Sequence, residues 1–268
     1  MMNSSRIFGV LCFALIAFCG VLKATAATYY VSPTGNNSAN GLSEATALAT
    51  PQAAINKAVS GDTILIRGGN FPVGVGAMTF DPAKHRGSDT AWLTIKNYPG
   101  ETPVFKWTRA TANYCAVWLT DATHVEVSGL TLFGWNDEIT LAEAEADTTG
   151  SLLYNSVAFQ ADGRDKRNSS GVKTLTRNSS NRPHHFRVIG NRLFGNKSLV
   201  IWRAVGYLSD GNGIIIDDFR NTQNSVTYRG VYTGRTLVAN ILAVNNGGSG
   251  IHTFLCDNVD IVHNTANG

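Results

Sequence analysis

Cysteine is scarce in this sequence, net charge is small, and beyond residue 26 no long apolar run occurs. Each shortage excludes something. The one long apolar stretch, IFGVLCFALIAFCGVL (7–22), follows MMNSSR and precedes Ala24-Thr25-Ala26. A basic start, a short apolar core and an A-x-A site describe a secretory signal peptide over residues 1–26, hence a secreted or periplasmic protein. The run is too short and too near the terminus for a spanning helix, and no later segment reaches the required length. Stable membrane insertion is not expected. Phe18 before Cys19 is a poor fit for a lipoprotein box.

Removing Arg6 and Lys23 with the leader leaves 20 of the 22 basic residues against 19 acidic ones. Such a balance excludes bulk nucleic-acid binding, which needs a strong basic excess. Any recognition by charge must be local. Of four cysteines, only Cys115 and Cys256 lie outside the leader, in the apolar runs NYCAVWL and TFLCDN. Buried thiols are the default reading. Export permits a disulfide. In the layered architecture argued below, rungs ~4.8 Å apart separate the two beyond the ~7 Å limit for bridged Cα atoms, so no bridge is expected.

What is present is glycine, asparagine and short apolar alternation. The chain has 27 glycines, 7 prolines and few helical patterns, the composition of many short strands joined by tight turns. Residues 27–268 suffice for one domain with one sizeable core. TPQAAINKAVSG (50–61) reads as a short helix, with Pro51 at its start and Gly61 at its stop. A weak repeat follows: FRVIGNRLFGN (186–196), TLVANILAVNN (236–246) and DIVHNTANG (260–268) superimpose on Asn191, Asn240 and Asn264. The last two are 24 residues apart, a plausible β-solenoid turn. Gly211-Asn212-Gly213-Ile214 likewise matches Gly248-Ser249-Gly250-Ile251, one coil apart once 220–234 is taken as an inserted loop. Further insertions fall at 136–182 and 197–209.

The openings TYYVSPTGNNSANGLS, TPQAAINKAVSGDTILIRGGNF and WLTIKNYPGETPVF resemble those of secreted right-handed parallel β-helix proteins of the pectate-lyase-like superfamily. Family 9 pectate lyases and the chondroitinase B and alginate lyase group belong there. The likeness covers 28–135 and 185–268. It implies an all-β, single-stranded solenoid whose early helix caps the open end, and calcium-assisted β-elimination on uronate polysaccharides. The chain departs from the pattern in lacking an Asp-Gly-Phe-x-x-Lys segment for a catalytic lysine. It also stops at Asn267-Gly268 without a capping segment, which suggests a truncated or unusually short member of the group.

Strand parity organises the segment DGNGIIIDDF (210–219). Ile214 and Ile216 share one face, placed inward on Ile251 and Thr253 of the next coil; Ile215 and Asp217 share the other, beside His252 and Phe254. Asp210, Asp217 and Asp218 then gather at one edge as candidate Ca²⁺ ligands. The alternatives are an Asx turn at Asp210 with Asp217 and Asp218 capping the strand exit, or, less favoured, a glycosidase acid and base. Lys197, Arg203, Arg235 and His252 are the nearby candidate bases, with Lys197, Arg235 and His252 carried forward. His252 has the best-defined position and a pKa suited to the work.

The acidic run 137–147 reads as a helix, and the basic run 164–182 as an attractor of polyanions. Trp107, Trp118, Trp135 and Trp202 are candidates for sugar stacking. His184-His185 lacks a third histidine or a cysteine at ligand spacing, so no transition-metal site is expected there. The function expected is a monomeric polysaccharide lyase acting on an acidic polysaccharide. The rivals are a non-catalytic carbohydrate-binding or cell-surface solenoid, and a hydrolase or epimerase on the same scaffold.

Overall fold

The computed structural model describes residues 25–71, 78–106, 115–119, 122–134, 157–162, 185–196, 211–217, 219 and 234–268, with Cys115 and 157–162 as backbone only. The signal-peptide reading therefore lies almost wholly outside the described residues. Within them the chain forms short strands that pair only in parallel, which demands a crossover after every strand. A first sheet contains β1 (Thr28–Val31), β2 (Thr63–Ile66), β5 (Leu93–Asn97), β8 (Val125–Ser128), β11 (Phe186–Ile189), β14 (Thr236–Ala239) and β17 (Val259–Val262). A second contains β3 (Gly69–Asn70), β6 (Pro103–Lys106), β9 (Thr131–Phe133), β12 (Arg192–Phe194), β15 (Leu242–Val244) and β18 (Thr265–Asn267). A third contains β4 (Met78–Thr79), β7 (Cys115–Trp118), β10 (Val157–Asp162), β13 (Ile214–Asp217) and β16 (Ile251–Phe254). From β2 to β16 each coil visits the three sheets in turn and pairs with the next coil; β1 precedes this pattern, and β17 and β18 reach only the first two sheets. The architecture is the expected parallel β-helix.

Period-two alternation explains the core. Ile64, Ile95, Val127, Val188 and Val238 occupy one register column of the first sheet, and all are buried. Leu93, Val125 and Phe186 form a second buried column. Stacked aliphatic rungs remove each side chain from water on every side, worth about 1.5–3 kcal/mol per fully buried residue.

The corners explain the asparagines, and here the repeat alignment needs correction. Gly129, Gly190, Asn240 and His263 stand at one corner of successive coils, all with φ between 53° and 70°. Glycine occupies that left-handed region readily, and Asn, Asp and His do so more often than other residues. Asn191 and Asn264 sit one position later and do different work. Asn191 accepts from Leu130 N–H (2.9 Å) and donates to Val127 C=O (2.9 Å), both one coil back. Asn264 repeats this with Ile241 N–H (2.8 Å) and Val238 C=O (3.0 Å). Asn240 therefore aligns with Gly190 and His263, not with Asn191. The final coil is 23 residues, Thr236 pairing with Val259, rather than 24. Equal residue type had masked a one-residue offset between two corner roles.

Helix α1 (Pro51–Lys57) forms where expected but stops at Ala58, short of Gly61. Thr50 Oγ1 caps it by accepting from Ala53 N–H (3.3 Å), and Pro51 occupies the first turn. Ala54, Ile55 and Ala58 are buried, and the helix packs on β1, β2 and β4. His85 closes its end: Nδ1 accepts from Asp81 N–H (2.9 Å), while Nε2 lies 3.1 Å from the carbonyls of both Ile55 and Ala58. Terminal helix carbonyls otherwise lack partners. Burial holds His85 below the ordinary histidine value, so the ring is neutral at pH 7.

Candidate functional site

The third sheet carries the segment that parity had singled out. Ile214 pairs with Ile251, Ile215 with His252, Ile216 with Thr253 and Asp217 with Phe254, the register read from the sequence. Two glycines permit the approach. A Cβ on Gly213 would lie 2.6 Å from the Gly250 carbonyl oxygen, and Gly213 N–H donates to Ser249 C=O at 2.9 Å. Ile214 and Ile216 enter the main core, whereas Ile215 packs against Trp118 in a separate cluster on the outer face. Thr79, Trp118, Gln160, Ile215 and His252 occupy one register column on that face.

The outer face is not an open groove floor at its centre. Ile215 is 8% exposed and Asp217 6%, whereas His252 on the next coil is half-buried. The strand ends at Asp217. Its register partner on the preceding coil is Asp162, so two aspartates occupy adjacent rungs, about 4.8 Å apart at the backbone. Sequence reasoning missed Asp162, because the 55 positions separating it from Asp217 hide a lateral contact. His252 lies diagonally across from Asp217, about 8 Å away at Cα by strand geometry.

The other sequence-derived candidates divide as follows. Lys197, Asp210 and Asp218 lie outside the described residues, as do Arg203, Trp107, Trp135, Trp202 and the runs 137–147 and 164–182. Arg235 precedes β14 on the first sheet, and its guanidinium grips Asp260 in a two-pronged pair, Nε to Oδ2 at 2.8 Å and Nη2 to Oδ1. That pairing raises the Arg235 pKa further and lowers that of Asp260. A guanidinium so held keeps its proton, so Arg235 is suited to holding charge and not to acting as a base. Cys256 is not in a disulfide; its Sγ lies 3.0 Å from the carbonyl oxygens of Ile216 and Phe254.

A second constellation occupies the entries of the first-sheet strands. His124 and His185 each precede a strand, β8 and β11, and their rings stack with centroids 4.4 Å apart and planes 17° from parallel. The backbone sets this up: His124 N–H donates to His185 C=O at 2.7 Å. Asp89 Oδ1 lies 3.3 Å from His124 Nε2 and 3.7 Å from His185 Nδ1. Trp92 meets both rings edge-on, and Arg187 lies over the Trp92 ring (3.9 Å) while pairing with Glu126 (3.5 Å). Burial first, then the neighbouring His185, holds His124 below the ordinary histidine value. No third histidine stands near His184-His185 in sequence, but the structure brings His124 beside His185 from one coil away. The signal was present in THVEVSGL and HHFRVIGN, which align as consecutive rungs with His124 over His185.

No protein-family model matches the chain, and no curated protein does. Among solved structures, a rhamnogalacturonan lyase is similar at a TM-score of 0.41 and 14% identity, over 91% of this chain and 62% of that one. The GH136 lacto-N-biosidase from Eubacterium ramulus is similar at 0.43 and 14%, over 89% of this chain and 36% of that one. Pectate lyase Pel9A is similar at 0.34 and 16%, over 86% and 68%. This chain thus spans less than two thirds of the first two proteins. What is established for it is the coiled fold, from its own strand ladders; the finer family likeness of its opening residues is not.

Proposed function

We propose that the protein acts on an acidic, uronate-containing polysaccharide by calcium-assisted β-elimination. The observation supporting this is the pairing of Asp162 with Asp217 on adjacent rungs, with His252 on the next rung of the same outer face. Aspartates at paired register positions of adjacent rungs would offer the oxygen ligands that a hard cation takes. Asp162 and Asp217 would hold Ca²⁺, with Asp210 and Asp218 from the same chain segment completing the set. The bound cation would neutralise the uronate carboxylate and acidify the neighbouring C–H.

His252 is the base in this proposal. It takes the proton next to the carboxylate, the C–H electron pair forms a carbon–carbon double bond, and the neighbouring C–O bond breaks with its pair going to the glycosidic oxygen, which takes a proton from water. Lys197 is the alternative base, and Arg235 contributes positive charge for binding. The experiment is incubation with polygalacturonate, alginate and chondroitin, with and without Ca²⁺. A calcium-dependent rise in ultraviolet absorbance from the unsaturated product is expected. New reducing ends without that absorbance would make the protein a hydrolase.

The cover over Ile215 and Asp217 favours a second reading, a non-catalytic carbohydrate-binding solenoid. Polymer binding without either product signal would establish it in place of the lyase.

A further inference from the structure

We propose that Asp89, His124 and His185 form a binding site for a divalent transition-metal cation of the zinc type. Their three ligand atoms all lie within 4.8 Å of one another. Zinc holds nitrogen and oxygen ligands at ~2.0–2.1 Å, which sets neighbouring ligand atoms of a tetrahedron roughly 3.3 Å apart. The two separations from Asp89 Oδ1, 3.3 Å to His124 and 3.7 Å to His185, already match this spacing. Tilting one imidazole out of the stack brings its lone pair onto the ion. Two nitrogens and one oxygen select zinc, nickel or copper over calcium or magnesium.

The surroundings are those of a held site. Thr123 Oγ1 lies 3.2 Å from His124 Nδ1, and in the tautomer with Nδ1–H donating to it, Nε2 is left unprotonated toward Asp89. The His124 backbone is fixed on three sides: its N–H bonds His185, its C=O accepts from Leu93 N–H at 2.9 Å, and the N–H of its neighbour Thr123 donates to His85 C=O at 2.9 Å. Gly87 packs closely beside this residue, since a Cβ there would lie 2.1 Å from the Ala91 carbonyl oxygen and 3.0 Å from His124 Cβ. His124 is buried, His185 half-buried and Asp89 84% exposed, so an ion enters from the Asp89 side. Arg187, a nearby cation, is turned to Trp92 and Glu126. This site is separate from the aspartates of the third sheet, so it stands or falls apart from the polysaccharide proposal.

The test is calorimetric titration of the purified protein with ZnSO₄, with CaCl₂ as the control. One zinc bound per chain at micromolar concentration is expected, with Ca²⁺ failing to compete. Asp89→Asn, His124→Ala and His185→Ala should each weaken zinc binding at least tenfold. Asp89 is exposed, so the Asp89→Asn variant keeps the test decisive if a histidine variant does not fold. Absence of zinc binding by the unaltered protein, or undiminished affinity in Asp89→Asn and His185→Ala, overturns the proposal.

Discussion

Asn191 and Asn264 make the same two hydrogen bonds, each to the backbone of the coil before, one from its amide oxygen and one from its amide nitrogen. A single side chain thereby ties together two coils at a corner where the regular strand ladder is interrupted. In Asn191→Leu, the buried Leu130 N–H loses its acceptor, at a cost of about 1–3 kcal/mol, and the amide bond to Val127 C=O is lost as well. Asn240→Gly, one residue off that position, changes stability by less than about 0.5 kcal/mol, because Asn240 serves the left-handed corner that glycine fills equally well. Urea unfolding of both variants separates the two roles; equal effects would mean that the offset is wrong.

Gly213→Ala destabilises the protein by about 1–3 kcal/mol, since the new methyl group meets the Gly250 carbonyl oxygen and forces β13 and β16 apart. At about 2–4 °C per kcal/mol for a chain of this size, the shift is readable in a thermal melt. An unchanged melting temperature would show that the two coils have room to separate.

Acid weakens the fold through His85. Its folded pKa is depressed by burial, so the unfolded chain takes up a proton that the native ring resists. The resulting stability is fully present above about pH 6.5, the unfolded value, and is lost as pH falls toward the lower folded value. His85→Ala lowers stability at pH 8 by about 1–3 kcal/mol through the unpaired Asp81 N–H and helix carbonyls. It also flattens the slope below about pH 6.5. Melts of both proteins across pH 5–8 check this, and parallel curves would remove His85 as the titrating group.

Calcium stabilises the unaltered protein and not Asp217→Asn, if Asp217 is a ligand of the proposed cation. The measurement is the melting temperature in CaCl₂ against EDTA. An equal calcium-induced rise in the variant takes Asp217 out of the site.

His252→Ala reduces the rate of unsaturated-product formation by about 10²–10⁴-fold if it is the base, while the binding of polymer persists. Arg235→Ala weakens binding without abolishing turnover, because its guanidinium stays protonated at Asp260. The reverse ordering of the two variants would exchange their roles.

Much of the outer wall was legible from parity alone. A strand exposes alternate residues to opposite faces, so Ile214 and Ile216 had to part from Ile215 and Asp217 whatever the surrounding fold. The matched glycines at 213 and 250 carried the register, because close approach of two backbones leaves no room for a side chain. The repeat of Asn191, Asn240 and Asn264 was misread by one position, since asparagine suits both a left-handed corner and a bridging amide. Residue type does not separate those roles; the backbone angle does.

From its composition and alternation, the sequence determined a stack of short parallel strands with asparagine and glycine at the corners. That pattern is local, repeated in every coil, and needs no knowledge of distant contacts. Which residues became lateral neighbours was decided only by the tertiary structure, because insertions of unequal length separate the coils. His124 reached His185, and Asp162 reached Asp217, through the register of the ladder. Backbone hydrogen bonds between rungs, not distance along the chain, set those residues on adjacent rungs.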